Sequence, residues 1–220
     1  MATINIINNK SGSLTVDPGV SGDSFLQLDI NSTGEWRLGC DDDAADAFKI
    51  SQGSALGTND TFVMTAAGQR TMPLQPCFLG DQSSTDLNVT GDGTVFQMGS
   101  GNPLTKIYDQ GNDFTTGGVF TAPVDGKYFF TVGVYIEGID IGITEYSIDL
   151  VTSNGTYSIC RFNAAGLRVP AWQNRSNGNI HCDMDASDTA TVNVTGSNGL
   201  KTITIKIENR DSSIAGFLIC

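Results

Sequence analysis

Residues 119–136 are apolar in both registers of a two-residue repeat and contain one Pro-x-x-Gly turn. Successive side chains of a strand point to opposite faces, so both faces of this stretch are predicted to be covered. Bulk on the less populated face comes from Val119, Phe129 and Tyr135. No other pattern in the chain is typical of a covering helix. We therefore expect a neighbouring copy of the chain to cover that face, with these three side chains in the interface.

Shorter apolar alternations predict four strands nearer the N-terminus, at residues 24–30, 35–40, 47–51 and 61–65, each followed by turn residues. Leu26, Leu28 and Ile30 are predicted to share one face, and Trp36 and Leu38 are predicted to pair across the Asn-Ser-Thr-Gly turn. The resulting apolar layer is thin, and a unit of about 50 residues is only marginally stable by itself. We therefore expect neighbouring chains to complete this small sheet.

Pro73 and Pro76 mark the boundary that we predict between this part and a larger C-terminal domain, because paired prolines discourage regular structure. The predicted organisation is an N-terminal arm at residues 1–20, a neck at 21–72 and a knob at 73–220. The arm, with its short apolar run, is either an attachment segment or a terminus that becomes ordered only against neighbours.

Composition supports an all-β fold: the chain has 26 glycines, frequent turn residues and few Leu-rich amphipathic runs. Residues 44–47 locally favour a helix, but this segment is too short to nucleate one. The formal charge of −12 disfavours nucleic acid and anionic lipid as partners. No stretch is long and apolar enough to predict membrane insertion. The first ten residues lack the apolar core of a secretory signal, so we expect no secretion by that route.

Candidate chemistry is sparse, and we predict that the protein is not an enzyme. Nucleophile-elbow, zinc-protease and phosphate-loop motifs are absent, and the single histidine, His181, rules out most histidine-based triads. A pair of carboxylates remains the alternative route to catalysis. We predict neither cofactor nor metal. The acidic groups near residues 41–46 and 183–188 are interpreted as solvated turns, with Ca²⁺ binding as the alternative. The five cysteines are expected to be reduced and mostly buried.

The sequence FTAPVDGKYFF at residues 120–130 resembles the signature of the complement component 1q globular-head domain, a jelly-roll relative of tumour necrosis factor. All six motif positions are met: Phe120, Ala122, Pro123, Gly126, Tyr128 and Phe130. The downstream order is also similar, with an Asn-Gly hairpin at 147–159, an acidic turn and strand at 183–194 and a closing strand at 213–219. The resemblance implies a trimeric jelly-roll knob without inherited catalytic residues.

Residues 35–69 resemble a module of bacteriophage tail-fibre and related virion proteins that precedes a terminal knob. Its matching pieces are Trp-x-Leu-Gly, an Asp-rich turn, Phe-Lys-Ile-Ser and Leu-Gly-Thr-Asn-Asp. The two resemblances together imply a homotrimeric virion fibre or spike, on a tail or a capsid, which is assembled in the host cytoplasm and attached to the particle through its N-terminus. The alternative is a soluble complement-head or cytokine-like module of a cell.

Residues 161–178 carry the strongest candidate for recognition. Three arginines, Arg161, Arg168 and Arg175, lie within fifteen residues of each other beside Trp172 in an otherwise acidic chain. Arg and Trp are favoured binding anchors, and long loops on rigid β-scaffolds often bind partners. We predict that this segment is a loop that contacts a host surface receptor or glycan. The alternative is that Trp172 packs on the knob and the arginines pair with surface acids.

Overall fold

The structure, a computed structural model, describes residues 16, 22–30, 34–164 and 173–220. The N-terminal arm lies almost entirely outside the described residues. The chain divides into two compact units, Met1–Gln75 and Pro76–Cys220. Residues Asp42–Ala44 form a three-residue 3-10 turn, and none of the described residues forms a helix suited to spanning a bilayer.

The first unit includes the predicted neck, whose described residues form one antiparallel five-stranded sheet in sequence order. Its strands are β1 (Ser24–Ile30), β2 (Gly34–Asp41), β3 (Ala47–Gln52), β4 (Asp60–Met64) and β5 (Arg70–Thr71). The four strands expected from alternation are confirmed, and in the hairpin Leu26 pairs with Leu38 and Leu28 with Trp36. The short β5 has no alternation of its own and forms by pairing with β4.

The second unit, which we call the knob, contains twelve strands in two antiparallel sheets within its described residues. They are β6 (Cys77–Gln82), β7 (Asp86–Thr90), β8 (Val95–Gln97), β9 (Leu104–Asp109), β10 (Phe120–Thr121), β11 (Gly126–Glu137), β12 (Glu145–Thr152), β13 (Gly155–Phe162), β14 (Gln173–Met184), β15 (Thr189–Ser197), β16 (Ile203–Ile205) and β17 (Ser213–Leu218). The predicted Asn-Gly hairpin is present as β12 and β13.

The larger knob sheet has the order β7-β16-β11-β17-β6-β9, with β14 on the other edge of β11. The smaller sheet has the order β10-β15-β12-β13, with β8 also paired to β15. The chain passes between the two sheets from β11 to β12, from β13 to β14 and from β14 to β15, which is the connectivity of a jelly roll. The predicted all-β class, with a jelly-roll sandwich knob, is therefore confirmed.

The knob core lies between its two sheets and is rich in aromatic rings. Phe78 stacks on Phe114 and Phe120, with ring centroids 4.4 Å and 4.9 Å away. Phe130 meets Phe120 nearly edge to face at 5.6 Å. From Tyr128 to Ile136 the inward-facing side chains of β11 are fully buried. The apolar phase that the sequence places on one side of residues 128–136 is therefore the core-facing side.

The Pro-x-x-Gly turn carries the chain from the smaller sheet at β10 to the larger sheet at β11. The Tyr128 hydroxyl donates to the Val124 carbonyl oxygen at 2.8 Å and closes this turn. Gly126 is required because a Cβ there would lie 2.6 Å from Leu218 Cδ1 and 2.7 Å from the Cys220 carbonyl oxygen. Val124, which the repeat places with the core residues, is exposed because it lies in the turn itself.

Candidate functional site

The outer face of the larger knob sheet carries an apolar patch that the knob itself leaves uncovered. We call it the outer-sheet patch, and it comprises His181, Phe129, Phe217, Ala215, Leu79 and Tyr108. Pairing of β14, β11, β17, β6 and β9 brings these side chains together. Phe129 lies 5.2 Å from Phe217 and 5.0 Å from His181 between ring centroids. Phe217 is 46% exposed and Tyr108 50%.

Charged pairs border the outer-sheet patch at both ends of β11. Lys127 forms an exposed ion pair with Asp183 at one end. At the other end, Arg175 pairs with Glu208 at 3.2 Å and with Asp211 at 2.9 Å. An apolar centre with a charged rim is the arrangement of a protein interface, since the charges stay solvated while the centre is buried.

The rim near Arg175 also covers Tyr135. The guanidinium carbon of Arg175 lies 4.6 Å from the centroid of the Tyr135 ring. The backbone amide of Tyr135 donates to Ser212 Oγ at 3.0 Å, and the Tyr135 carbonyl oxygen accepts from the Lys206 amide at 2.9 Å. Burial, followed by the charge of Glu208, raises the pKa of the Tyr135 phenol.

The structure corrects the predicted grouping of Val119, Phe129 and Tyr135 on one open face. Phe129 lies in the outer-sheet patch, but Tyr135 is only 2% exposed because its own chain covers it. Val119 is partly buried directly before β10, which belongs to the smaller sheet. The physical reason is the turn between β10 and β11, which moves the chain between sheets and interrupts the two-residue phase.

Both ends of the predicted recognition loop lie in strands. Residues 173–178 belong to β14, so Arg175 is a strand residue paired opposite Tyr135. Their polar, Asn-rich sequence resembles a loop, yet β14 pairs with β11 along its whole length, and this pairing overrides local propensity. Arg168 and Trp172 lie outside the described residues.

The two described arginines of that segment are not brought together. Arg161 lies at the end of β13 in the smaller sheet, opposite Ser147, where its Nε is 3.3 Å from Glu145 Oε1. Arg175 lies in the larger sheet with its acidic partners. Both arginines therefore follow the alternative interpretation, in which they pair with surface acids.

The remaining candidate groups have structural surroundings. His181 is a strand residue in β14. Within the described ranges, no three potential metal-ligating side chains converge. In the acidic turn after β14, the Asp188 carboxylate accepts from the Asp185 amide at 2.9 Å. All five cysteines are free, but only Cys182 is buried, so the prediction that most are buried is wrong.

Sequence reasoning missed most of the outer-sheet patch because its members come from five different strands. Leu79 and Phe217 could have been found, since each lies out of phase with core residues of its own strand. Phe78 and Ile214 are buried, whereas Leu79 and Phe217 point the other way. Tyr108 and His181 give no such signal, because only strand pairing shows which face they share.

Comparisons with known proteins complete the description. No protein-family model matches the chain, and no curated protein sequence matches it. Among solved structures, the chain is similar to the globular domain of a zebrafish complement 1qA protein, with 18% identity, a TM-score of 0.44 and coverage of 66% of this chain and 98% of that one. Murine APRIL gives 9% identity, a TM-score of 0.46 and coverage of 66% and 99%. Eiger TNF from S. frugiperda gives 12% identity, a TM-score of 0.45 and coverage of 67% of this chain and 92% of that one.

Proposed function

We propose that this chain is the subunit of a non-enzymatic homotrimeric adhesion protein, whose knob assembles through the outer-sheet patch. The exposed aromatic centre of that patch carries the proposal. The inner faces of both knob sheets already fill the core, so the patch needs a partner outside its own unit. Exposed apolar patches with a polar rim mark interaction sites on soluble proteins.

A second copy of the same chain is the partner that suits the patch. Each chain carries a formal charge of −12, so most of its surface repels a copy of itself. The centre of the patch carries no acidic or basic residue other than His181, and copies can meet there without burying like charges. A threefold arrangement is the one implied by the resemblance of residues 120–130 to the complement head.

We further propose that the trimer is a fibre or spike of a virus particle, of the bacteriophage kind, with the N-terminal arm attached to the particle. The resemblance of residues 35–69 to a fibre module supports this assignment, and the neck and knob units follow each other in the order that the resemblance implies. The knob then contacts a host surface receptor or glycan.

The segment between β13 and β14 is the proposed contact with the host. Trp172 and Arg168 supply a flat apolar ring and planar donors, which suit sugar faces and anionic groups. Arg161, which is 64% exposed at its side chain, flanks them on β13. Arg175 is already held by Glu208 and Asp211, so we assign it to positioning the start of β14.

Replacing Trp172 and Arg168 with Ala tests the contact in the intact assembly. We expect binding to host cells to fall by at least about tenfold, because three copies of the site act together. The melting temperature should stay unchanged. A matched control replaces Val95, an exposed residue on the smaller sheet, with Ala. Unchanged binding of the folded double variant would move the receptor site elsewhere, for example to the turn at residues 100–104.

Electron microscopy of the source particle tests the fibre assignment separately. Antibody against the knob should label projecting fibres or spikes on virions. If the antibody labels a soluble fraction and leaves the particles unlabelled, the alternative is favoured, a complement-head or cytokine-like module of a cell.

A further inference from the structure

The neck sheet is covered on its polar face and open on its apolar face. The polar face contains Arg37, Asp41, Lys49 and Ser51, all of which are buried. On the other face, Leu26, Leu28 and Trp36 are 46%, 52% and 40% exposed. An antiparallel sheet that covers one face normally buries the apolar one. This inverted arrangement indicates that a partner covers the apolar face.

The polar face is closed by the neck's own loop at residues 53–59. Gly57 of this loop lies directly over the polar face: a Cβ on Gly57 would be 3.0 Å from Asp41 Oδ2 and 3.4 Å from Lys49 Nζ. Leu56 of the same loop is buried. Beneath the loop, Lys49 Nζ bonds Asp41 Oδ2 at 2.8 Å and lies 3.2 Å from Asp60 Oδ2. The charged network is therefore satisfied within the chain.

The open face is a continuous apolar surface set by strand register. One row across β1 to β4 consists of Leu26, Leu38, Ile50 and Phe62. The rows on either side add further apolar residues: Leu28 with Trp36, and Cys40 with Phe48 and Met64. Among the described residues of β1 to β4, no acidic or basic side chain shares this face. All of these side chains are partly or fully exposed.

We propose that the open face of the neck sheet packs against the same face of other copies of this chain, forming a second assembly interface. The inference rests on the proposed homotrimer, which brings the copies together. These nine partly exposed apolar side chains present on the order of 500 Å² of apolar surface, the size at which patches mark interaction sites. A stable interface standing by itself buries about 800 Å² per partner. The neck contact therefore suits chains that are also joined at the knob.

Charge selects a copy of this chain as the partner. All acidic and basic residues of β2 and β3, which are Glu35, Arg37, Asp41 and Lys49, lie on the covered face. Copies that meet through the open faces bury no charge, and they turn their acidic surfaces outward toward solvent. The partner thus needs only a complementary flat apolar sheet, which another copy supplies.

Trp36 reports on this interface directly. The chain has two tryptophans, so Trp172→Phe leaves Trp36 as the single tryptophan in the full-length protein. Trp36 is 40% exposed on the isolated sheet, and acrylamide should quench it readily there. In the assembled protein we expect its quenching constant to fall several-fold. Mass in solution is measured on the same samples.

Two variants of neighbouring residues separate the faces. Leu28→Asp places a charge on the open face next to Trp36, whereas Gln27→Asp places one on the opposite face of the same strand. Both positions are exposed, so the neck sheet should fold in each variant, and circular dichroism checks this. We expect Leu28→Asp to restore strong quenching of Trp36 while the knob keeps the trimer together, and Gln27→Asp to leave Trp36 protected.

The outcomes distinguish this interface from the proposed trimer. A trimer in which Trp36 is quenched as readily as in Leu28→Asp overturns the neck interface and leaves the knob trimer standing. A folded monomer with protected Trp36 overturns both proposals and assigns the cover to another segment of the same chain. A monomer with accessible Trp36 also overturns both.

Discussion

Lys49 shows how a thin sheet keeps a charged network without a large core. Its side chain is 11% exposed, and its ammonium group lies between the carboxylates of Asp41 and Asp60. The hydrogen bond to Asp41 raises the pKa of Lys49, against the opposing effect of burial. Its favourable contribution is therefore complete below the ordinary value of 10.5 and is lost as the pH rises through the higher folded value.

Lys49→Ala should destabilise the neck strongly, because it leaves two carboxylates near each other without a cation. We expect a loss of about 3 kcal/mol in the free energy of unfolding. Lys127→Ala is the matched control: it removes an exposed ion pair, and we expect less than about 1 kcal/mol. Urea unfolding followed by Trp36 fluorescence measures the first change, and circular dichroism measures the second. Equal, small losses would show that the buried network contributes little.

We expect the Cys182 thiol to react more slowly than the Cys220 thiol. Cys182 faces the knob core on β14, and burial raises the pKa of its thiol to about 11, with a smaller effect of Asp183. The thiolate is the reactive species, so Cys182 stays protonated and unreactive at pH 8. Iodoacetamide labelling and peptide mass mapping should find Cys220 modified long before Cys182. Comparable rates in the folded protein would contradict this burial.

At the scale of strands, the sequence predicted what depends on local pattern. The four neck strands, the hairpin of β12 and β13 and the closing strand all alternate clearly, and each is present. β14 could not be predicted at its start, because residues 173–178 are polar and their strand conformation comes from pairing with β11. Residues 202–207 alternate cleanly, but only Ile203–Ile205 form β16. One more bond follows, from the Lys206 amide to the Tyr135 carbonyl oxygen, before the chain turns at residues 208–210.

The candidate site was predicted only in part for the same reason. Phe129 was found because it lies in a strand that is apolar on both faces, a property visible in one segment. Its neighbours Phe217 and His181 come from β17 and β14, and the patch exists only once these strands pair with β11. Covering of Tyr135 by Arg175 is likewise a contact between distant segments.

Phe129→Asp tests the outer face of β11. The side chain points away from the knob core, so the variant should fold, but a charge placed in the centre of the patch would be desolvated on assembly. We expect the apparent dissociation constant of the assembly to rise by at least about a hundredfold, since burying an unpaired charge costs several kcal/mol. Sedimentation velocity measures this change.

Val95→Asp is the matched control for that variant. Val95 is an exposed apolar strand residue on the outer face of the smaller sheet, paired with Thr195. The same charge introduced there should leave the assembly intact. If both variants behave alike, or if Phe129→Asp stays assembled, the outer-sheet patch is not the interface.

At the scale of the whole molecule, apolar surface is exposed on both units while the chain carries a net charge of −12. High net charge keeps unrelated contacts weak, so association is expected to be confined to the uncharged faces. Removal of salt should therefore weaken the assembly modestly through repulsion between acidic chains, whereas an interface held by ion pairs would be strengthened.

The mass of the folded protein in solution tests the proposed trimer most directly. Native mass spectrometry or sedimentation equilibrium at micromolar concentration should give three times the chain mass of 23.3 kDa. A well-folded monomer at that concentration would contradict assembly through the outer-sheet patch, and with it the proposed adhesion trimer.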